Sequence, residues 1–239
     1  MQTASPRSIR VSDRDDLPYL LEGAGLSSGP VLVLVGGAGG LGADDEVGLT
    51  VLIRDYLVPV VVRAGASVVD GGTDAGIMRA IGAARSDAGA QFQLVGVAAA
   101  GTVSSPGDAP EDDAEAEVDS NHTHIVLVPG TDWGDESPWL SEVASALSAG
   151  YPSATLLVNG GEIAYTDVQH SLTAGRPLIV LAGSGRTADA IASAAGNPSA
   201  DERALRISAS SLVRVVSVGT PDALATVLTA ALTEAAPAG

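Results

Sequence analysis

The chain of 239 residues contains no cysteine and no lysine. The absence of cysteine excludes disulfides, thiolate nucleophiles, iron–sulfur clusters and cysteine-based zinc sites. The absence of lysine excludes a Schiff base, and it also excludes a Walker-type phosphate loop, which requires its lysine. All 12 basic side chains are therefore arginines, and several common forms of covalent and phosphate chemistry are ruled out.

Aromatic residues are scarce, and long apolar runs are missing. Aromatics make up 3% of the chain and hydrophobic residues 46%, so the core must be built from Val, Leu, Ile and Ala. Apolar runs such as Val31–Val35 have the length of a strand and are far too short for a bilayer span. No apolar signal region follows the polar N-terminus. We therefore expect a cytoplasmic protein without a membrane partner.

Positive charge is in short supply as well, since the net charge is −17 at pH 7. Affinity for nucleic acid depends on cationic contacts with phosphate, so the charge argues against a nucleic-acid partner. Part of the excess of negative charge lies in residues 102–120, which we predict to form a solvated acidic loop. A metal role is the alternative for this loop, but its spacing does not match a calcium loop.

Short apolar runs alternate with longer stretches of helical pattern. A continuous run such as Val31–Val35 is typical of a strand buried on both faces of a parallel sheet. We predict a single α/β domain over residues 31–235, a Rossmann-like parallel sheet with helices on both faces. Its strands are predicted at Val31–Val35, Ser67–Asp70, Gln93–Ala99, Ile125–Val128, Ala154–Val158, Pro177–Leu181 and Leu212–Val218.

The two ends of the chain lie outside this predicted domain. Residues 1–30 are predicted to form an N-terminal extension or an edge hairpin, with short strands at Ser8–Val11 and Tyr19–Glu22. Residues 236–239 are predicted to form a tail.

Glycine-rich turns follow most of the predicted strands. At Asp70–Met78 a strand ends, two glycines turn the chain and a helix opens, which suits a phosphate or carboxylate. In an open parallel sheet such turns share the carboxyl edge, where ligands bind at the point at which strand order reverses. A plain structural turn is the alternative at each position taken singly. The residues of these turns predicted to contact a phosphate-bearing or nucleotide-like ligand are Gly36, Gly37, Gly39, Gly71, Gly72, Thr73, Gly160, Gly161, Gly183, Ser184 and Gly185.

Three further side chains are predicted to contact the ligand. Arg186 follows Gly-Ser-Gly at a helix start and would pair bidentately with phosphate, the alternative being a surface salt bridge. Asn121 and His122 precede a predicted strand and would contact ribose or base. His122 and His124 share one face of an extended segment, but no third ligand is evident, so no metal site is predicted.

Asp167 and Glu162 are weak candidates for catalysis at the same edge. Two carboxylates could act in the cleavage of a glycosidic bond, although a helix cap is the commoner role for Glu162. No Gly-x-Ser-x-Gly elbow is present, so no nucleophilic serine is predicted.

Several motifs, taken in order, resemble a known family. They are Asp70-Gly-Gly-Thr-Asp-Ala-Gly-Ile-Met78, Asn121-His-Thr-His124 before a strand, the Gly160-Gly161 turn, and Pro177-Leu-Ile-Val-Leu-Ala-Gly-Ser-Gly-Arg186. The set is similar to the SLOG superfamily, and within it to the prokaryotic relatives of the N-terminal domain of TRPM cation channels. The resemblance covers roughly residues 31–235 and implies a Rossmann-like domain that binds nucleotide-derived ligands such as ADP-ribose.

The same resemblance bears on catalysis. Some SLOG members cleave nucleoside monophosphates at the N-glycosidic bond, as the cytokinin-activating phosphoribohydrolases do. Their signature Pro-Gly-Gly-x-Gly-Thr-x-x-Glu corresponds here to Asn159–Asp167. Ile163 and Ala164 replace the Gly-Thr pair and Asp167 replaces the final Glu, so the resemblance favours binding over hydrolysis.

These observations predict a protein that binds or senses a nucleotide-derived ligand at the carboxyl edge of the sheet. The ligand would be ADP-ribose, an NAD-derived molecule or a nucleoside monophosphate, and no cofactor is required. A nucleotide N-glycosidase or phosphoribohydrolase is the first alternative, and a ligand-free protein-interaction scaffold is the second. The aliphatic helices would also allow a homo-oligomer.

Overall fold

A computed structural model of the protein describes residues 5–37, 43–104 and 116–234. Most of its strands form one parallel sheet, and two very short strands pair with each other outside it. In chain order the strands are β1 (Arg7–Arg10), β2 (Val31–Gly36), β3 (Ser67–Asp70), β4 (Leu94–Ala99), β5 (Val103–Ser104), β6 (Ala116–Glu117), β7 (His124–Val128), β8 (Ser153–Val158), β9 (Leu178–Ala182) and β10 (Val213–Ser217).

Helices connect the strands and cover the sheet. A single π turn, Ile53–Leu57, joins the second and third of them, and a 3₁₀ turn, Arg14–Asp16, precedes the first. In chain order the helices are α1 (Leu17–Gly23), α2 (Ala43–Leu52), α3 (Val58–Ala64), α4 (Gly76–Asp87), α5 (Ser137–Ser148), α6 (Glu162–Thr173), α7 (Arg186–Ala192), α8 (Glu202–Ser208) and α9 (Pro221–Thr233).

The sheet buries an apolar core on each of its faces. Along β2, Val31, Val33 and Val35 point into one core, which α1 and α5–α8 complete. Leu32 and Leu34 point into the other core, which α2–α4 and α9 complete. Since side chains alternate along a strand, an unbroken apolar run supplies both cores at once. The prediction of a Rossmann-like α/β domain with helices on both faces is confirmed.

The order of the strands creates a crevice in the middle of the sheet. The eight strands follow the order β1-β7-β4-β3-β2-β8-β9-β10. The chain moves outward from β2 through β3 and β4, and it later returns to place β8 on the other side of β2. The connections that leave β2 and β8 therefore diverge to opposite faces, which opens a crevice at their carboxyl ends.

The N-terminal segment belongs to the sheet, so the prediction of an edge hairpin was wrong. β1 pairs in parallel with β7, with Arg7 opposite His124. The segment predicted as a second strand lies within α1. Leu17 and Leu21 are buried at a four-residue spacing and pack with α5 in the same core. A short apolar run does not distinguish helix from strand by itself, and here the buried helical face decides.

Two other segments differ from the predictions. Helix α8 follows the polar stretch near residue 200, where no helix was predicted. The end of the predicted acidic loop is not solvated, because Val118 bridges to Thr73 and Asp119 is buried. Residues 105–115 of that loop lie outside the described residues. Across the three described ranges, no helix has the length and apolar character needed to cross a membrane.

Candidate ligand-binding site

A cavity of about 640 Å³ opens at the carboxyl edge of the sheet. Gly36 at the end of β2 and Gly161 just after β8 both line it, so it occupies the crevice where strand order reverses. Its volume lies within the range of small-molecule sites, about 300–1,000 Å³. The cavity is therefore large enough for a nucleotide-like ligand.

The residues predicted from the sequence divide into three groups. Gly39 lies outside the described residues. Those that line the cavity are Gly36, Gly37, Gly71, Thr73, Gly161, Glu162, Asp167 and Arg186. Those that do not line it are Gly72, Asn121, His122, Gly160, Gly183, Ser184 and Gly185.

One end of the cavity, which we call the arginine end, is formed by Arg186 against two glycine turns. A methyl group at Gly37 would stand 3.3 Å from Arg186 Nη1, and one at Gly161 would stand 3.1 Å from Nη2. A side chain at either position would therefore push the guanidinium from its present position by a few tenths of an ångström. Arg186 also has a φ of +46°, a costly conformation for a non-glycine residue. Such outliers are concentrated at functional sites, which makes Arg186 a strong site candidate.

The start of α7 is fixed to the turn after β8. Thr187 Oγ1 donates a hydrogen bond to the Gly161 carbonyl at 2.9 Å, and the Thr187 amide donates to the Gly160 carbonyl at 3.4 Å. The next amide, that of Ala188, donates to the Asn159 carbonyl at 2.8 Å. These bonds set the position from which Arg186 reaches the cavity.

The opposite end, which we call the acid end, contains the carboxyl groups of Glu136 and Asp167. Burial raises the pKa of Asp167 to about 7, and the nearby carboxylate of Glu136 adds to the rise while the Ser137 hydroxyl opposes it. Burial also raises the pKa of Glu136, although the Gly134 amide donates to Glu136 Oε2 at 2.9 Å. Two carboxyl groups with raised pKa values in one cavity are candidates for proton exchange or for binding a cation.

A short loop after β7 carries the aromatic wall of the acid end. Asp135 Oδ2 accepts hydrogen bonds from the amides of Thr131 at 3.0 Å and Asp132 at 3.1 Å, which fixes the loop. Trp133 at its tip is 41% exposed and lines the cavity. The indole therefore stands at the mouth of the acid end, where a planar group could stack on it.

Helix α6 connects the two ends of the cavity. Gly161, Ala164 and Asp167 recur every three residues and line the cavity along one face of the helix. Glu162 lies at the rim, where its side chain is 79% exposed and Oε2 accepts from Arg203 Nη1 at 2.8 Å. Asp167 is therefore better placed than Glu162 to act on a bound ligand.

A buried network of charges supports the glycine turn after β3. His122 Nε2 lies 2.8 Å from Asp70 Oδ1, and His122 Nδ1 lies 2.8 Å from Asp119 Oδ2. Asp70 Oδ1 also accepts from the Gly72 amide at 2.8 Å, and the Asp119 amide donates to the Gly72 carbonyl at 2.9 Å. The network therefore clamps the turn that presents Gly71 and Thr73 to the cavity.

The charge state of His122 follows from its surroundings. Burial alone lowers the pKa of His122, but the charges and hydrogen bonds of Asp70 and Asp119 outweigh it and raise the pKa to about 9. The imidazole is therefore a cation at neutral pH, with both ring nitrogens bonded within the protein. Asn121 is engaged in the same network, since its Nδ2 donates to Asp119 Oδ1 at 3.0 Å. This geometry gives no support to the expectation that Asn121 or His122 contacts ribose or base.

The Gly-Ser-Gly turn before Arg186 is also occupied with internal bonds. Ser184 Oγ donates to the Leu181 carbonyl at 2.6 Å and accepts from the Asn159 amide at 2.8 Å. The Gly183 amide donates to Asp189 Oδ1 at 2.6 Å. These contacts shape the turn. Among the described residues of this segment, Arg186 is the one that lines the cavity.

Neither Trp133 nor Glu136 was named as a site residue from the sequence. Both lie in a loop after a strand, which places them at the ligand-binding edge. Trp133 could have been found as an indole at that edge in a chain with only 2 tryptophans. Its place in the cavity wall could not have been found, because that place depends on how Gly134 packs beside Ile163 at the start of α6.

Comparison with known proteins gives a match over most of the chain. The family model described as SLOG in TRPM, prokaryote, matches residues 29–226. Transient receptor potential cation channel subfamily M member 2 of Rattus norvegicus is 28% identical over 182 residues. The match covers 62% of this chain and 12% of the channel, so the chain spans a small part of that relative. The protein of the same name from Mus musculus gives the same figures.

A solved structure supports the fold. The crystal structure of TM1055, a structural genomics target, is similar with a TM-score of 0.51 and 18% sequence identity. The similarity covers 83% of this chain and 98% of the other.

Proposed function

The chain belongs to the family described as SLOG in TRPM, prokaryote, and from that premise we propose that its cavity binds a nucleotide-derived ligand such as ADP-ribose. The observation that carries the proposal is the position of the Arg186 guanidinium, held between Gly37 and Gly161 inside a cavity at the sheet's switch point. A phosphate is the group of a nucleotide that suits this position.

The arginine end offers two kinds of contact to a phosphate. Arg186 can donate a pair of parallel hydrogen bonds to phosphate oxygens. Helix α6 begins at Glu162, after Gly161, so the positive end of its dipole lies at the cavity wall. Both contacts favour a dianionic group over a neutral one.

Replacing Arg186 by glutamine is expected to weaken ADP-ribose binding about 10- to 100-fold, because a hydrogen bond to a charged group contributes about 1.5–3 kcal/mol. Isothermal titration calorimetry measures the change. Arg206→Gln is the matched control, since Arg206 is exposed on α8 and does not line the cavity.

A thermal-shift screen tests the proposal as a whole. At about 100 times its dissociation constant, a ligand should stabilise the protein by about 2.7 kcal/mol. The screen would use ADP-ribose, NAD, AMP and inorganic phosphate. Failure of every one of them to raise the unfolding temperature would remove the proposed function and favour a scaffold that acts through protein contacts.

A nucleotide N-glycosidase is the second candidate, and Asp167 is the observation that favours it. With a pKa of about 7, its carboxyl group exists in both protonation states near neutral pH. Such a group can donate a proton to a departing base or take one from water. Asp167 also stands at the position of the final Glu in the phosphoribohydrolase signature, although Ile163 and Ala164 depart from that signature.

If the protein cleaves AMP or NAD, replacing Asp167 by asparagine should lower the release of free base about 100-fold or more, the usual contribution of general acid–base catalysis. Glu162→Gln should have little effect, since the Glu162 carboxylate pairs with Arg203 in solvent. Chromatography of the products measures both rates. Equal losses in the two variants would reject this role of Asp167, and no release by the wild type would reject the enzyme.

A further inference from the structure

The two ends of the cavity differ in charge, and this difference bears on which nucleotide fits. The inference rests on the proposed function, because it assumes that a phosphate occupies the arginine end. Asp167 follows Gly161 by six residues on α6, which places it about 9 Å further along the helix axis. A mononucleotide spans a comparable distance from its phosphate to its base.

The acid end is unsuited to a second phosphate. Its carboxyl groups belong to Glu136 and Asp167, and the charged neighbour that shifts the pKa of Asp167 is the other carboxylate. A phosphate there would add a third negative group to a half-buried space. A cation would instead offset both carboxylates and allow them to ionise.

One further group at this end suits a cationic aromatic ring. Trp133 lines the cavity with an indole that is 41% exposed, and an indole face attracts a cation that lies over it.

We propose that the acid end receives a cationic aromatic ring, so that the preferred ligands are N-ribosylpyridinium nucleotides whose phosphate lies at the arginine end. Trp133 stacks on the ring, and Glu136 and Asp167 offset its positive charge. A neutral ring of the same size gains the stacking but leaves the two carboxyl groups without a counter-charge.

Isothermal titration with the two redox forms of nicotinamide mononucleotide tests this proposal. The oxidised form has a cationic ring and the reduced form a neutral ring of similar size, and both carry the same phosphate. At pH 8 the oxidised form should bind about tenfold or more tightly. Equal affinities, a preference for the reduced form, or binding of ADP-ribose alone would overturn the proposal while leaving nucleotide binding intact. If neither form nor ADP-ribose bound, the proposed function would fail as well.

Substitutions of equal size then test the two carboxyl groups. The double variant Glu136→Gln, Asp167→Asn should lose most of the preference, chiefly through weaker binding of the oxidised form. Asp132→Asn removes a carboxylate from the same loop that does not line the cavity, and it should keep the preference. A preference that survives in the double variant would overturn the assignment to Glu136 and Asp167.

The ratio of the two affinities should also depend on pH. Among the described residues, the charged groups that line the cavity with Asp167 are Glu136, Glu162 and Arg186. As Asp167 ionises between about pH 6 and pH 8, the preference for the cationic ring should grow. Protonation of the ligand phosphate affects both forms alike and cancels in the ratio. A ratio that stays constant over this range would contradict the role of Asp167.

Discussion

Replacing His122 by leucine is expected to lower the free energy of unfolding by about 3–5 kcal/mol, the usual cost of removing one partner from a buried ion pair. The imidazole lies 2.8 Å from both Asp70 and Asp119, and its side chain is 0% exposed. Leucine would fill much of the space but leave two carboxylates buried without the cation between them. Urea unfolding at pH 7, followed by circular dichroism, measures the change.

His124 provides a matched control two residues away. Its ring bonds with the Thr123 hydroxyl at 2.9 Å and the Ala24 carbonyl at 3.3 Å. Burial lowers the pKa of His124, so this ring is neutral at pH 7. His124→Leu should therefore cost only about 1 kcal/mol, the worth of an ordinary hydrogen bond. Similar losses in the two variants would show that the charge of His122 is not the stabilising feature.

The same network should make stability depend on pH. The pKa of His122 rises from 6.5 to about 9 on folding, so its contribution is complete below about pH 6.5 and is lost as the pH rises through 9. At about 1.4 kcal/mol for each pKa unit, the free energy of unfolding should fall by on the order of 3 kcal/mol. Urea unfolding across this window should show the loss in the wild type and not in His122→Leu. Wild-type stability that stays level from pH 6.5 to pH 9 would refute the assignment.

His122 also shows where sequence reasoning reaches its limit. The motif Asn121-His-Thr-His124 marks the entry to a buried strand, and that much is readable from the pattern. The partner of His122 cannot be read from the pattern, because Asp70 lies 52 residues earlier in the chain. Only the pairing of β3 and β7 with β4 between them brings the two side chains together. A polar motif at a sheet edge can therefore support a turn as readily as it contacts a ligand.

The fold itself was predictable for a simple physical reason. A run such as Val31–Val35 must be covered on both faces, and the alternation of such runs with helices leaves few architectures. The same logic placed the glycine turns and Arg186 at one edge. It failed for α1, where Leu17 and Leu21 form a helical face too short to stand out from a strand pattern.

The acid end was harder to predict than the arginine end. Arg186 follows a Gly-Ser-Gly turn, and glycines in such a turn indicate that the backbone can approach a ligand closely. Glu136 and Asp167 are ordinary polar residues in sequence, and Glu136 precedes a helix as many acidic residues do. Their raised pKa values arise from burial, which depends on the packing of α5 beside α6. That packing is a property of the assembled domain and leaves no local signal.

Replacing Gly96 by alanine is expected to lower the free energy of unfolding by about 3 kcal/mol, at the upper end of the usual cost of overpacking. The added methyl group would overlap Gly72 Cα on one side and stand 2.7 Å from Ile125 Cδ1 on the other. Gly72 cannot retreat easily, because its φ of +70° and its bonds to Asp70 and Asp119 fix the turn. Denaturant unfolding measures the loss.

Gly48 is the matched control for this prediction. It lies inside α2 with no heavy atom within 4 Å of an added methyl group, so Gly48→Ala should raise stability by about 0.5–1 kcal/mol. The Gly96 variant should also bind ADP-ribose more weakly, because moving Gly72 displaces Gly71 and Thr73 in the cavity wall. Unchanged affinity in a destabilised Gly96→Ala variant would mean that the position of this turn does not govern binding. Loss of both stability and affinity would indicate that the close contact between β3 and β4 determines the shape of the site.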